Sequence, residues 1–358
     1  MKIFLIKTGL FLLPVAVVIV YTIKFYNFEQ GDLVRMSYLT SDYDYEKVFK
    51  GEYNSKDIVI LNDSSVVKKK KWKFFTIGDS FTRQRKMGYV SKLSAKYPNN
   101  VVSFNTDYLL GGDPMTSLYG LINSDYFDSV KVEYVVFQSV ERYLASRGVG
   151  LNRDVQYGYS KVEETILQQK KERLEGQQKS STAKEPPYPT DRFVKFPLNN
   201  IMYLYNPMGN NEFVYKEMLT TPLFSTSRND VLFYKEDIDF LEFNNNEDNV
   251  KKLNDNLNEV ALALKKKGIQ LIVLIAPDKF DLYYPYLVNK NNYTKPLFFE
   301  HFNQLEKNYL YVDAHTIFRD KLKQKAKDIY LYDDTHWSPW ATKIVATEIA
   351  KISENSGH

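Results

Sequence analysis

The chain has 358 residues, 44% of them apolar and 26% charged, the proportions of a globular protein with a sizeable core. Its net charge of +4 is spread along the sequence, which argues against nucleic acid as a partner, since such binders concentrate their excess on one face. There is no cysteine, so disulfides, thiol catalysis and cysteine-held metals are excluded.

Residues 8–23 are uncharged and lie between Lys7 and Lys24. Extended back to Ile3, with Lys7 snorkelling to the interface, they make roughly 30 Å of helix, enough to cross a bilayer core. The next residues, Phe25, Tyr26, Asn27 and Phe28, are bulky or polar and offer no small-x-small cleavage site. Residues 1–24 therefore read as a retained signal anchor and not a cleaved peptide. Lys2 and Lys7 favour an inside N-terminus, which puts the body of the protein outside the cytoplasm. Residues 25–70 are polar, rich in Tyr, Asp and Lys, and read as a juxtamembrane linker. The basic run of residues 68–71 reads as solvated linker, with a lipid-headgroup or polyanion contact as the alternative.

From Trp72 the pattern changes, and residues 71–358 read as one domain. Residues 73–78 predict a short buried strand, and residues 81–96 a helix with Phe81, Met87, Val90 and Leu93 on its apolar face. Residues 101–105 and 132–140 are further strands, the second a nearly continuous apolar run of the kind parallel sheets use. Residues 150–245 break the rhythm with a charged helical piece at 161–175, a Gln-, Ser- and Lys-rich linker, and Pro186, Pro187 and Pro189. They read as an insertion packed near the active-site mouth. Alternation then resumes: a helix at 248–267 stopped by Gly268, a strand at 270–276, a helix at 297–307 and a strand at 309–312. The last helix opens at Ser338-Pro339, an N-cap followed by a first-turn proline, and runs to about residue 352. Strands alternating with helices imply a mostly parallel sheet covered on both faces.

Gly78-Asp79-Ser80 places a serine where a strand ends and a helix begins, with Gly78 read as permitting a tight turn. The carboxyl ends of parallel strands form a crevice, and unpaired N–H groups at a helix start can face an oxyanion. A serine nucleophile needs a base, and the histidines number four. His358 is terminal, and His301 sits in a helical stretch. His315 and His336 each follow an aspartate by two residues. His336 lies in Asp333-Asp334-Thr335-His336-Trp337, a polar loop that can deliver an imidazole to the sheet's edge while a carboxylate fixes its tautomer. His315, just past a strand, reads as a packing or capping residue. Trp337 and Trp340 would wall the site against water. No zinc-ligand set, dinucleotide fingerprint or phosphate-binding glycine loop is present, so neither metal nor cofactor is expected.

Strand-Gly78-Asp79-Ser80 near the start, with Asp334-x-His336-Trp337 before a C-terminal helix, resembles the SGNH hydrolase superfamily. More narrowly, Asp-Thr-His-Trp is similar to the SGNH-like domains of alginate and other polysaccharide O-acetyltransferases. Residues 135–144 and Ala276-Pro277-Asp278-Lys279 with Tyr283 are similar to that group as well, so the resemblance covers roughly 72–145 and 246–352. It implies a three-layer α/β/α, flavodoxin-like domain with Ser80 as nucleophile, His336 as base and Asp334 as its orienter. Asp333 offers the Asp-x-x-His spacing of ordinary members and is the alternative acid. Gly112 falls where the superfamily places an oxyanion glycine, or else marks a plain turn. Lys279 and Trp337 join it as substrate-binding candidates. Two departures stand out. The Gly-x-Asn-Asp block is missing, and Arg142 either replaces its oxyanion donor or pairs with Glu141. In alginate-type proteins Asp-x-His precedes the serine, whereas here it follows, the order of the wider superfamily.

The resemblance implies an O-acetyltransferase that acts on a cell-surface or exported polysaccharide through an acetyl-serine. A membrane-bound O-acyltransferase would relay acetyl groups across the bilayer. Two alternatives keep the fold: an SGNH esterase or deacetylase in which water accepts the acyl group, and an inactive glycan-binding scaffold of an export complex.

Overall fold

The computed structural model describes residues 1–26, 31–52, 71–106, 113–168, 171, 191–205, 212–226 and 229–356. Gly112, His358, the basic residues 68–70 and the prolines of 186–189 fall outside them.

Five strands form the main sheet: β1 (Trp72–Gly78), β2 (Val101–Asn105), β3 (Val132–Val140), β6 (Gln270–Ala276) and β7 (Leu310–Val312). Their order is β2-β1-β3-β6-β7, and every pairing is parallel. Alternate side chains of one strand feed two cores. Tyr134, Val136, Ile272 and Leu274 face a layer that includes the helices Tyr89–Lys96 and Pro339–Asn355. Val135, Phe137, Leu271 and Val273 face the other side, with the helices Pro114–Ile122 and Glu247–Lys266. Continuous apolar runs in β3 and β6 are what a sheet buried on both faces requires. The fold is a three-layer α/β/α domain.

The chain leaves β1 toward β2 on one side and returns as β3 on the other. That reversal opens a crevice beyond the carboxyl ends of β1 and β3, the usual ligand position in an open parallel sheet. Ser80 stands there.

Several elements are as the sequence predicts. Asn246 caps the helix Glu247–Lys266, and beyond its end Gly268 takes a φ of +75°, which favours glycine. Ser338 Oγ accepts from the Ala341 amide at 3.3 Å and starts the last helix, with Pro339 in its first turn.

Other elements differ. Residues 81–96 are not one helix: a turn at 80–82 leads to a short 3₁₀ segment, Arg85–Met87, and then the helix Tyr89–Lys96. The turn lets Phe81 drop into the core, where it is 1% exposed, and a continuous helix from residue 81 is given up for that burial. The helix predicted at 297–307 is only Phe298–Phe302, because Lys307 Nζ turns back onto the carbonyls of Phe302 and Leu305 at 2.7 and 2.8 Å. The charged piece at 161–175 is helical over 159–168. Within 150–245 stand the helix Arg192–Tyr205 and an antiparallel ribbon of β4 (Val214–Met218) and β5 (Asp230–Tyr234). The ribbon braces Tyr332, whose hydroxyl donates to Asp230 at 2.8 Å.

Residues 31–52, read as linker, are packed into the domain. Leu33, Val34 and Phe49 are fully buried in the core shared with the last helix. Before them the helix Lys2–Phe25 is long and apolar enough to cross a membrane, or to be a signal sequence, and its apolar side chains are exposed. If residues 31–52 belong to the core, Leu33→Ala in the full chain should cost about 2–5 kcal/mol in denaturant unfolding. A loss under about 0.5 kcal/mol, the size of a surface substitution, would mark the segment as a loose tether.

Candidate active site

Asp79 builds the turn that presents Ser80. Its buried carboxylate accepts from the amides of Phe81 at 3.2 Å and Val140 at 2.7 Å and from Arg147 at 2.9 Å. Burial alone would raise its pKa, but Arg147 and the two amides hold it below the usual carboxylate range. Arg147 also donates to Ser139 Oγ at 2.5 Å, so the ends of β1 and β3 are tied to the helix Glu141–Val149. Gly78 serves close approach and not a left-handed turn. A Cβ there would meet the Thr82 hydroxyl and both oxygens of Gln138, and Thr82 Oγ1 already donates to Gln138 Oε1 at 2.8 Å.

His336 arrives on a loop closed on itself. Leu331 N donates to His336 O at 3.0 Å, and Ser338 N to Ile329 O at 2.9 Å. Beneath the imidazole lies Phe81, ring centroids 4.7 Å apart, and Trp337 meets Phe81 edge-on at 5.0 Å. Trp337 is therefore a fully buried support for Phe81 and not a wall or substrate contact. Trp340 packs against Phe49.

The three side chains of the expected relay meet. His336 Nε2 is 2.9 Å from Ser80 Oγ, and His336 Nδ1 is 2.6 Å from Asp334 Oδ1. Asp334 also accepts from the His336 amide at 2.9 Å, so one carboxylate fixes both ring and backbone. These contacts offset burial and draw Asp334 down to about 2. On His336, burial favours the neutral ring, but the bond and charge of Asp334, with Asp32 and Asp79, raise its pKa above the usual 6.5. Such a relay can deprotonate a hydroxyl for attack on an acyl carbon and then return the proton to a leaving group.

Asp333 does not orient the imidazole. Its carboxylate accepts the Tyr45 hydroxyl, and its carbonyl accepts from Leu33 N at 3.1 Å and Val34 N at 3.3 Å. Arg142 is no oxyanion donor and does not pair with Glu141. It is buried, with ion pairs to Asp237 at 2.7 Å and Asp278 at 3.1 Å. Lys279 is buried as well. Its Nζ lies 2.8, 2.6 and 3.2 Å from the carbonyls of Leu331, Tyr332 and Asp334. An ammonium has three protons, so none is left for substrate. His315 stacks flat on Phe299 at 4.1 Å and bonds Asp281 at 3.1 Å, a packing role.

Asp32 is the site residue that the sequence did not disclose. Its carboxylate accepts from Thr335 N at 2.7 Å and Thr335 Oγ1 at 2.6 Å. Its amide donates to Asp334 Oδ2 at 3.1 Å, and its Oδ2 lies 3.8 Å from His336 Nδ1. Gly31 makes the approach possible, because a Cβ there would strike the backbone of Asp333. The one available signal was Gly31-Asp32 before the apolar pair Leu33-Val34. Asp32, Asp334 and His336 hold one ligand atom each within 4.8 Å, but these atoms bond one another and Thr335 as a proton-holding network.

With the imidazolium favoured, cleavage of an activated acetyl ester should show kcat/KM rising with pH through a midpoint above 6.5, since only the neutral ring takes the serine proton. Asp32→Asn removes one charge that favours the imidazolium. It should move the midpoint to lower pH and lower kcat by about ten- to a hundredfold. An unchanged midpoint with full kcat would reduce Asp32 to ordinary packing.

Residues 226–357 match the family model described as the SGNH hydrolase-like domain of the acetyltransferase AlgX. The match includes Asp334 and His336 and leaves Ser80 outside it. No curated protein and no solved structure matches the chain. Taken with the parallel sheet, the match shows that this chain carries an SGNH hydrolase-like domain.

Proposed function

We propose that the protein is a membrane-tethered O-acetyltransferase that uses Ser80, His336 and Asp334 to move acetyl groups onto hydroxyls of an exported or cell-surface polysaccharide. The observation that carries this reading is the pair of contacts at His336, 2.9 Å to the serine hydroxyl and 2.6 Å to the aspartate. The AlgX match supports the acetyl group as cargo.

In the first half-reaction Ser80 Oγ attacks the acetyl carbonyl while His336 Nε2 takes the serine proton. Asp334 keeps the other ring N–H aimed at itself and stabilises the imidazolium. The tetrahedral intermediate collapses to acetyl-Ser80, and the proton passes to the leaving oxygen of the donor. In the second half a sugar hydroxyl gives its proton to His336, attacks the acetyl-serine and leaves as the acetyl ester. Ser80 regains its proton. Among the described residues the Ser80 amide makes no hydrogen bond, which suits it as one oxyanion donor.

The tether bears on the donor. Six residues lie between Phe25 and Asp32, seven steps of at most roughly 25 Å of extended chain, so the relay stays close to the end of the apolar helix. With that helix as a retained anchor and the domain outside the cytoplasm, acetyl groups made inside need a membrane-bound acyltransferase to reach Ser80. The exposure of Ser80 favours a second reading, an esterase, because water can compete as acceptor.

The test uses the full chain in nanodiscs, an activated acetyl ester and an oligosaccharide acceptor. An acetyl adduct on Ser80 that acceptor discharges faster than water is the expected result. Ser80→Ala and His336→Ala should each lower turnover by at least about a thousandfold, while folded His315→Ala keeps it. Discharge indifferent to acceptor would make the protein an esterase. No adduct under any condition would leave an inactive scaffold.

A further inference from the structure

The helix Arg192–Tyr205 has two unlike sides. One is fastened to the domain. Asn199 Nδ2 donates to the Ser37 carbonyl at 2.8 Å, Asn200 Nδ2 to the Tyr38 carbonyl at 3.0 Å, and Thr40 N to Asn200 Oδ1 at 3.0 Å. Phe196, fully buried, sits 5.6 Å from the ring of Tyr21 and 5.3 Å from that of Tyr26. The other side is apolar and bare: Val194, Leu198, Ile201 and Leu204 are 66%, 49%, 55% and 79% exposed. Positions 194, 198 and 201 fall on one helical stripe, which a soluble domain would turn inward.

What covers the stripe follows from its neighbour. Val194, Pro197, Leu198 and Ile201 line one open apolar groove of about 670 Å³ with Pro14, Val15, Val18 and Ile19 of the helix Lys2–Phe25. At about 1.5 Å per residue, residues 14–19 lie roughly 9–16 Å inside the Phe25 end of that helix. Half of a bilayer's hydrocarbon core is about 15 Å, so a spanning Lys2–Phe25 puts the groove among acyl chains.

We propose that Arg192–Tyr205 is an interfacial membrane helix, its apolar side sunk into the acyl chains of the leaflet at the Phe25 end and its asparagine side holding the domain. The inference rests on Lys2–Phe25 crossing the bilayer. A single span leaves a domain free to swivel. A second contact lying across the surface fixes which way Ser80 faces. An amphipathic helix whose polar face is bonded to protein and whose apolar face adjoins a span meets the physical description of such an element.

The natural absence of cysteine makes the test direct. Single cysteines replace Val194, Leu198 and Ile201, with Val17 as the span control and Lys351 as the water control. Each full-length variant is labelled with bimane and reconstituted into protein-free phosphatidylethanolamine–phosphatidylglycerol vesicles, with or without acyl chains brominated near mid-depth. Bromine should quench the labels at 194, 198, 201 and 17 by about twofold and leave the label at 351 unchanged. Quenching at 17 alone overturns the interfacial helix while the span stands. No quenching at 17, 194, 198 or 201 overturns both.

Discussion

The loop that presents His336 is wrapped around a buried positive charge. Lys279 has no access to water, and burial pulls its pKa down to about 8, yet Asp333, Asp334, Asp32 and Asp237 keep the charged form favourable near neutral pH. Its three protons meet three carbonyls of residues 331–334. A loop of polar residues without regular secondary structure would otherwise leave these carbonyls unpaired, at about 1–3 kcal/mol each. Removing the ammonium would leave them buried and unsatisfied, and the imidazole would lose its fixed height above Ser80. The geometry at the serine thus depends on a residue that touches neither serine nor substrate.

The same loop is clasped from its other side by the segment that follows the apolar helix. Gly31 lets backbone meet backbone, Leu33 and Val34 donate to Asp333, and Asp32 holds Thr335. The chain that follows the apolar helix is therefore part of the candidate active site. Any displacement of residues 31–34 therefore acts on the carboxylate network around His336.

Much of the fold was legible in the sequence because it rests on local signals. The apolar runs of β3 and β6 needed burial on both faces, and Gly268 and Ser338-Pro339 mark helix ends by mechanisms that act within a few residues. Ser80, Asp334 and His336 were legible because a strand-end serine and an Asp-x-His loop are short motifs of definite chemistry. What was not legible is tertiary. Leu33, Val34 and Phe49 show no periodicity, and their partners lie some 300 positions away. Arg142 and Lys279 stand near the site in the chain, and sequence does not tell a cation aimed at substrate from one enclosed by aspartates and carbonyls. Trp337 follows His336 directly, but strands and loops alternate their side chains, so its ring turns into the core as the imidazole turns out. The break at residues 81–88 arises because Phe81 is worth more beneath His336 than as the first residue of a longer helix.

The candidate relay is assembled from two distant parts of the chain. The stretch that matches the SGNH hydrolase-like model brings His336 and Asp334, while Ser80 comes from the end of the first strand, outside that match. Ser80 belongs to a turn fixed by Asp79 and Arg147, and His336 to a loop fixed by Lys279 and Asp32. Gln84 Nε2, donating to the Trp337 carbonyl at 3.1 Å, is a direct strut between the two. Each half is stiff by itself, so the distance between hydroxyl and imidazole is set where the halves meet. The three side chains are in contact without any ligand, so under the proposed chemistry the fate of an acetyl-serine would be decided by the acceptor. A sugar hydroxyl wins over water only if it is held at the exposed side of Ser80 for longer than water needs to attack. Under the proposed chemistry, transfer and hydrolysis would share one relay, and acceptor binding beside Ser80 would decide between them.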